Sequence, residues 1–451
     1  MTQTVSPVRS QPQPLSVPRG AALYVGALLG PGLLLLPGLA AAQAGPASIL
    51  AWLALLGISG LLAVVFAALG KAFPSAGGVT GYAAAGLGPR AGAAAGWCFL
   101  AGVICGAPVV CLIGASYVAD LTGGGQSVRC GVAAALLLVV LGLALGGVRA
   151  TTTVQLVLVG LLITVVVVAV AGSAPSAHAA NWAPFAPHGW PAIGRAASTL
   201  MLSFVGWEAV APLTARFGDP ARQLPRVIAI AFAVTTALYL GLAVATIAVL
   251  GPGAGTEVPL ADLLRQAVGP AGRAAAAVAA VLLTLGATNA YLSGAAAMAA
   301  ELTGRRAARP GPGARQRPAS QRWLASWRDP GSTRPLLALI AAAGLLVIGL
   351  YAARVVSTAQ LVEIPTTLFL AVYLACTLSA ARALAGGARR AALPAVLAVG
   401  AVLAFSGWAL AIAAAVAVTA ALRYRPPPER RRASLPRRGG ANPPVAWCRD
   451  T

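Results

Sequence analysis

Acid is what this chain has least of. Ten Asp or Glu stand among 451 residues, against 32 Lys or Arg, and 9% of the chain is charged. A water-soluble domain carries about 25% charged residues, so a soluble globular fold is excluded. With 59% apolar residues and a mean hydropathy of +0.83, the chain reads as an all-α polytopic membrane protein. Histidine is nearly absent too. His178 and His188 sit in a loop rich in Pro, Ala and Trp and offer no metal or acid–base site. The six cysteines include no CxxC pair, and Cys98, Cys105, Cys111, Cys130 and Cys376 fall in apolar runs as small hydrophobes. No Ser/His/Asp, Cys/His or paired-carboxylate set lies in those runs, so no enzyme, cofactor or metal is expected. Residues 1–20 lack the apolar stretch of a cleavable signal peptide.

What is present is a series of apolar runs, most of them about 17–25 residues and so long enough to cross a bilayer. They fall near 21–43, 47–70, 91–119, 130–146, 154–173, 194–215, 226–250, 272–302, 335–353, 359–384, 391–405 and 408–422. That gives about twelve membrane helices. The last two share 32 residues, so both must be short, with Gly407 at a tight turn between them. Lys and Arg set the orientation. Twenty-seven fall on the side of the termini and five, Arg129, Arg195, Arg265, Arg273 and Arg354, on the other. Both termini are expected in the cytoplasm. The net charge of +22 is then mainly a topology signal with an affinity for anionic lipid heads, and not a mark of nucleic-acid binding.

The chain divides into a disordered cytoplasmic tail (1–20), a transmembrane domain (21–422) and a basic, disordered cytoplasmic tail (423–451). The loop 303–334 is rich in Arg, Pro and Gly and reads as disordered, with QRWLASW (321–327) as a candidate interfacial helix. PLADLLRQAV, in the loop 251–270 on the outer side, has helical periodicity and is expected to lie along the membrane surface. Trp182 and Trp190 read as interfacial aromatics.

The first apolar run contains GALLGPGLLLLP, with Gly26, Gly30, Pro31 and Gly32 about halfway through the bilayer. Glycine weakens a helix and proline removes a backbone donor. Either the helix kinks at Pro31, or it breaks into halves whose freed backbone groups line an enclosed cavity. The sixth run contains LSFVGWEAV, in which Gly206 and Trp207 adjoin Glu208. A carboxylate at membrane depth is costly, so Glu208 is either a protonated hydrogen-bonding group between helices or a functional one. Glu363 lies nearer the interface, and Asn289 and Tyr291 are polar groups of the eighth run expected to face the bundle interior. If runs 1–5 and 6–10 form an inverted repeat, the two weak points meet at one midplane site. Free N–H groups there would attract a carboxylate and free carbonyls an ammonium, which suits a zwitterionic amino acid. Leu28, Leu33 and Phe204 would suit its apolar side chain.

These residues resemble the amino acid–polyamine–organocation (APC) superfamily. The match runs through Gly26–Pro37, through PSAGGVTGYAAAGLGPRAGAAAGW (Pro74, Gly77, Gly78, Tyr82, Gly88, Gly92, Gly96, Trp97) and through FVGWEAVAPLTARFGDPARQLPR with its Pro220, Arg222 and Pro225. The helix-6 stretch and TNAYLSGAAAMAAEL are most similar to the branch that exports neutral amino acids such as methionine and branched-chain residues. The resemblance implies a five-plus-five inverted repeat with broken helices 1 and 6. It also implies substrate carboxylate at Gly30, Gly32 and the amides that follow, and ammonium at carbonyls near Phe204 and Val205. Trp207 or Glu208 would gate or couple. Two departures stand out: Pro31 removes one N–H from the carboxylate loop, and VQLVLVGLLITVVVV lacks the membrane lysine of some proton-coupled relatives, leaving Glu208 as the candidate proton carrier.

The expected function is a secondary transporter in the cytoplasmic membrane of a bacterium, exporting neutral hydrophobic amino acids by proton coupling or exchange. The alternative is an uptake permease or exchanger for cationic amino acids or polyamines. A channel would want polar rings along a pore, and a sensor a folded signalling domain; neither is evident.

Overall fold

The computed structural model describes residues 15–30, 32–73, 78–146, 152–207, 217–302 and 334–424, and these form helices and connecting turns with no strand. Nine helical stretches among them are long and apolar enough to cross a membrane. In order, the N-terminal half holds α1 (Val17–Leu28), α2 (Gly32–Ala44), α3 (Ser48–Ala72), α4 (Gly78–Leu87), α5 (Pro89–Thr122), α6 (Gly125–Leu145) and α7 (Thr152–Ser173). The second half holds α8 (Pro191–Leu200), α9 (Pro220–Leu250), α10 (Pro259–Val268), α11 (Ala271–Leu302), α12 (Arg334–Ala352) and α13 (Thr358–Ala383). Then come α14 (Gly386–Ala404) and α15 (Ala409–Arg423).

The first apolar run is two helices, α1 and α2, separated at Leu29–Pro31, of which Pro31 lies outside the described residues. Although the apolar stretch Gly32–Ala72 is continuous, Gly45 at φ +62° reverses the chain between α2 and α3. The sixth run, placed near 194–215 with a break expected in it, is the short α8, a 3-10 turn at Met201–Phe204 and then non-helical backbone at Val205 and Gly206. Gly407 turns at φ +52° between α14 and α15. The 15-residue α15 is about 22 Å long, short of the roughly 30 Å hydrocarbon core.

α5 is the axis of the bundle. It packs on α11, α6, α13, α4, α15 and α12, and its apolar core is 78% buried where that of α7 or α12 is 22%. The outer faces of α6, α7, α12 and α14 carry exposed Leu138, Val157, Leu346 and Leu397, as a lipid-facing surface requires. Two short helices close the ends. On the side where α1 begins, here the near side, α4 packs on the start of α5 and the end of α13. Ser379 Oγ accepts from Gly86 N (2.8 Å) and donates to Tyr82 O (2.5 Å), and Thr80 Oγ1 donates to Glu301 at the end of α11 (2.6 Å).

On the opposite, far side, α10 packs on the start of α11 and on α7. The apolar stripe of this helix, Leu260, Ala261, Leu263 and Leu264, is buried among those helices. Burial pushes the Asp262 carboxyl above its ordinary range, opposed by a Thr256 hydrogen bond and by Arg273 and Arg265.

Candidate functional site

The two interruptions meet. Gly206 has φ +145°, and a Cβ there would collide with the carbonyl of Ala27. Only glycine permits both that backbone and that approach. Gly32, opening α2, lies in turn against Ser203, whose Oγ would be 3.2 Å from an added Cβ. The end of α1 is therefore seated on the turn after α8, and the start of α2 on the 3-10 turn before it.

Two tyrosines stitch this seam. The Tyr239 hydroxyl of α9 lies 2.8 Å from Leu28 O and 2.5 Å from Ser203 O, one carbonyl from each interruption. A phenol has one proton to donate. Gly30 N also donates to Leu28 O (2.8 Å), so Ser203 O is the carbonyl that depends on Tyr239 alone among the described residues. From α13, the Tyr373 hydroxyl accepts from Gly206 N (2.9 Å) and donates to Phe204 O (3.2 Å). Backbone freed by a broken helix must be satisfied by protein at membrane depth, and here side chains of two flanking helices do it. Tyr117 of α5 adds a further tyrosine bond, to Leu34 O of α2 (2.6 Å).

The surroundings are aromatic and apolar. Trp52, Phe204 and Tyr239 form a cluster with ring centroids 5.2–6.0 Å apart. Leu28, Leu33 and Val205 are buried beside it. Ser203 Oγ, Tyr24 Oη and Trp52 Nε1 are buried with no hydrogen-bond partner among the described residues. Such groups are costly unless a ligand or water completes them.

Most residues singled out from the sequence have a definite place. Gly30 is half-buried, and a Cβ on it would lie 4.0 Å from the Tyr291 hydroxyl, which α11 brings to the seam. Tyr291 in turn lies 6.5 Å from the Phe369 ring. Gly26 is turned away, with its hydrogen face against Val159 of α7, so it is a helix-packing glycine. Trp207 is fully buried and its indole donates to Ser59 Oγ of α3 (3.0 Å), which fixes it in place. Asn289 is buried, and its Oδ1 has no hydrogen-bond partner among the described residues. Gly286 of α11 faces Leu158 of α7, and Asn289, three residues on, shares that side. Two residues part Asn289 and Tyr291, so they diverge by about 200° around the helix. Glu208 lies outside the described residues, as do Pro31, Pro74 and Gly77. Glu363, near the far end of α13, lies beside Gly407 and bonds to Trp408.

Sequence reasoning missed Tyr239, Tyr373, Trp52 and Ser59. A lone phenol or indole in an apolar run needs a polar partner when buried, and TALYLGL and FLAVYLAC carry that signal. No described residue named at the seam is an acid or a base. What the seam can do is bind a small molecule through backbone dipoles and hydroxyls, with apolar walls for its side chain.

Comparison with known proteins places the chain among transporters. A family model described as amino acid permease matches residues 15–448. An uncharacterized amino acid permease of Bacillus subtilis, YecA, is 32% identical over 406 residues, covering 88% of this chain and 92% of the relative. The L-methionine/branched-chain amino acid exporter YjeH of Escherichia coli is 34% identical over 217 residues, 46% of this chain and 49% of the exporter.

Proposed function

The chain belongs to the amino acid permease family of membrane transporters, and from that premise we propose that it exports neutral hydrophobic amino acids by alternating access at the seam. The observation that carries this reading is the contact of the two interruptions, Gly206 against Ala27–Leu28, under one shared phenol. The start of α2 has N–H groups without partners in their own helix, which favours a carboxylate. The Ser203 and Phe204 carbonyls favour an ammonium. With no fixed charge among the described seam residues and with Leu28, Leu33, Phe204 and Trp52 around it, a neutral apolar side chain is the better fit. Similarity to a methionine/branched-chain exporter supports the same substrate class.

Helix pairings support an inverted repeat. α4 on α5 and α13 is matched by α10 on α11 and α7, at the opposite end of the bundle. On this reading α1–α7 and α8–α13 are the two repeats, and the near side is cytoplasmic, as the 27-to-5 split of Lys and Arg requires. The setting is the cell membrane, and Glu208 carries the coupling proton.

The test is movement of labelled leucine or methionine in proteoliposomes, with and without an imposed pH gradient. Gradient-stimulated flux of either is expected. Flux of arginine or a polyamine instead, with leucine and methionine still, would overturn the neutral substrate and favour the cationic alternative.

A further inference from the structure

The far side carries a second constellation that the seam does not use. An open cleft of about 1020 Å³ lies between α2, α5, α6, the loop before α10, and the α12–α13 turn. Three of the five outer arginines, Arg129, Arg354 and Arg273, gather at or beside it, with Asp120, Glu257 and Asp262. Arg129 pairs with Glu257 and also donates to the Tyr351 hydroxyl. Thr358 Oγ1 donates to Glu257 (2.7 Å), and Gln126 Nε2 to Tyr351 O (2.7 Å). Asp120, on the cleft wall, lies 3.6 Å from Arg273, which is also 3.9 Å from Asp262.

Arg354 is the odd member. It follows α12 at φ +58°, the left-handed position where glycine or asparagine usually ends a helix. A bulky residue there is strained by roughly 1–2 kcal/mol. Its guanidinium lines the cleft, and only Nε is engaged, with Gln126 Oε1 (3.0 Å). Both Nη groups have no partner among the described residues. A strained backbone that holds a half-used guanidinium over an open cleft is an arrangement suited to a ligand.

We propose that this cleft is a second binding site for a zwitterionic α-amino acid, with its carboxylate on Arg354 and its ammonium on the wall of Glu257 and Asp120. This rests on the amino acid transport reading and extends it. Leu39 of α2 and Ser116 of α5 lie in the cleft lining. Leu39 is seven residues from Gly32, about 10 Å along the helix axis. Ser116 adjoins Tyr117, whose hydroxyl holds Leu34 of the same helix. The cleft therefore stands directly over the seam, as the last stop of an exported substrate or the first of an imported one. Its charges are partly solvated, so it binds more weakly than the seam and more weakly still as salt rises.

Equilibrium dialysis of labelled L-leucine against the full-length protein in detergent counts the sites. Two bound molecules per chain are expected, the weaker one lost at least tenfold in affinity in Arg354→Gln. Arg354→Gly is expected to lose it equally while melting no lower than the parent, because glycine accepts the left-handed backbone without strain. Leucinol, which lacks the carboxylate, is expected to miss the weaker site. One leucine per chain in the parent, or two retained in Arg354→Gly, would overturn the second site and leave the transport reading standing. If neither leucine nor arginine binds anywhere, the transport reading falls first and the cleft with it.

Discussion

The seam and the far-side cleft face the same kind of ligand with opposite means. At the seam the polar atoms are backbone carbonyls, amides and hydroxyls, walled by Trp52, Phe204 and leucines, with no charged side chain among its described residues. In the cleft the polar atoms are guanidiniums and carboxylates around a wide, wet opening. Dielectric explains the division. Dipoles are effective where water is excluded, and an unpaired ion there is costly. At the solvent boundary dipoles are outcompeted by water, and only full charges attract at all. The difference teaches that the protein can hand a zwitterion from charges to dipoles across about 10 Å of helix.

The comparison breaks first at Gly206. Gly206→Ala places a methyl on the Ala27 carbonyl at a left-handed φ, and a loss of roughly 3 kcal/mol or more is expected. Thermal unfolding should fall by many degrees and transport should vanish; a stable, active variant would show that the two interruptions do not touch. Next comes the claim that the seam binds without a fixed charge. Glu208→Gln is expected to abolish flux driven by a pH gradient while leaving leucine–leucine exchange intact. Unchanged pH dependence would remove Glu208 from coupling.

Tyr239→Phe is a finer test, since it deletes one hydroxyl and leaves Ser203 O unpaired. About 1–3 kcal/mol of stability should go, together with about a tenfold drop in leucine affinity at the seam, read by the same dialysis. Smallest is Glu257→Gln in the cleft. That pair is partly exposed, so about 0–1 kcal/mol is expected. The seam site should keep its affinity and the weaker site should lose salt sensitivity. If Glu257→Gln proves as damaging to folding as Gly206→Ala, the contrast between the two regions is wrong.

Much of the frame was legible in the sequence because membrane helices announce themselves locally. The weak stretch GALLGPG ending at Gly30–Gly32 and the glycine at 407 are one-dimensional signals, and the chain interrupts or turns there. PLADLLRQAV showed its helical period, but burial on α7 and α11 depends on neighbours that a local pattern does not reveal. The seam was half legible. Glycines mark where the backbone is weak, yet the groups that satisfy it, Tyr239 and Tyr373, arrive from helices 36 and 169 positions away from their partners in sequence. Gly26 misled for the same reason: spacing placed it with the weak residues, while Val159 decided its role. In the cleft, the sequence marks Arg354 only as one of five outer arginines; its φ is a property of the folded turn.

One consequence of the first interruption is mechanical. Among the described residues α1 has one polar contact with another element, at its end, where Leu28 O shares the Tyr239 hydroxyl with Ser203 O. Elsewhere α1 meets its neighbours by packing without hydrogen bonds, Gly20 on Phe217 and Val227, Gly26 on Val159, and Leu23, Tyr24 and Val25 buried in the core. Twelve residues make a rod of about 18 Å, so a swing of about 10° about Leu28 carries its free end roughly 3 Å. The helix is a lever whose fulcrum is already bonded and whose long arm is not.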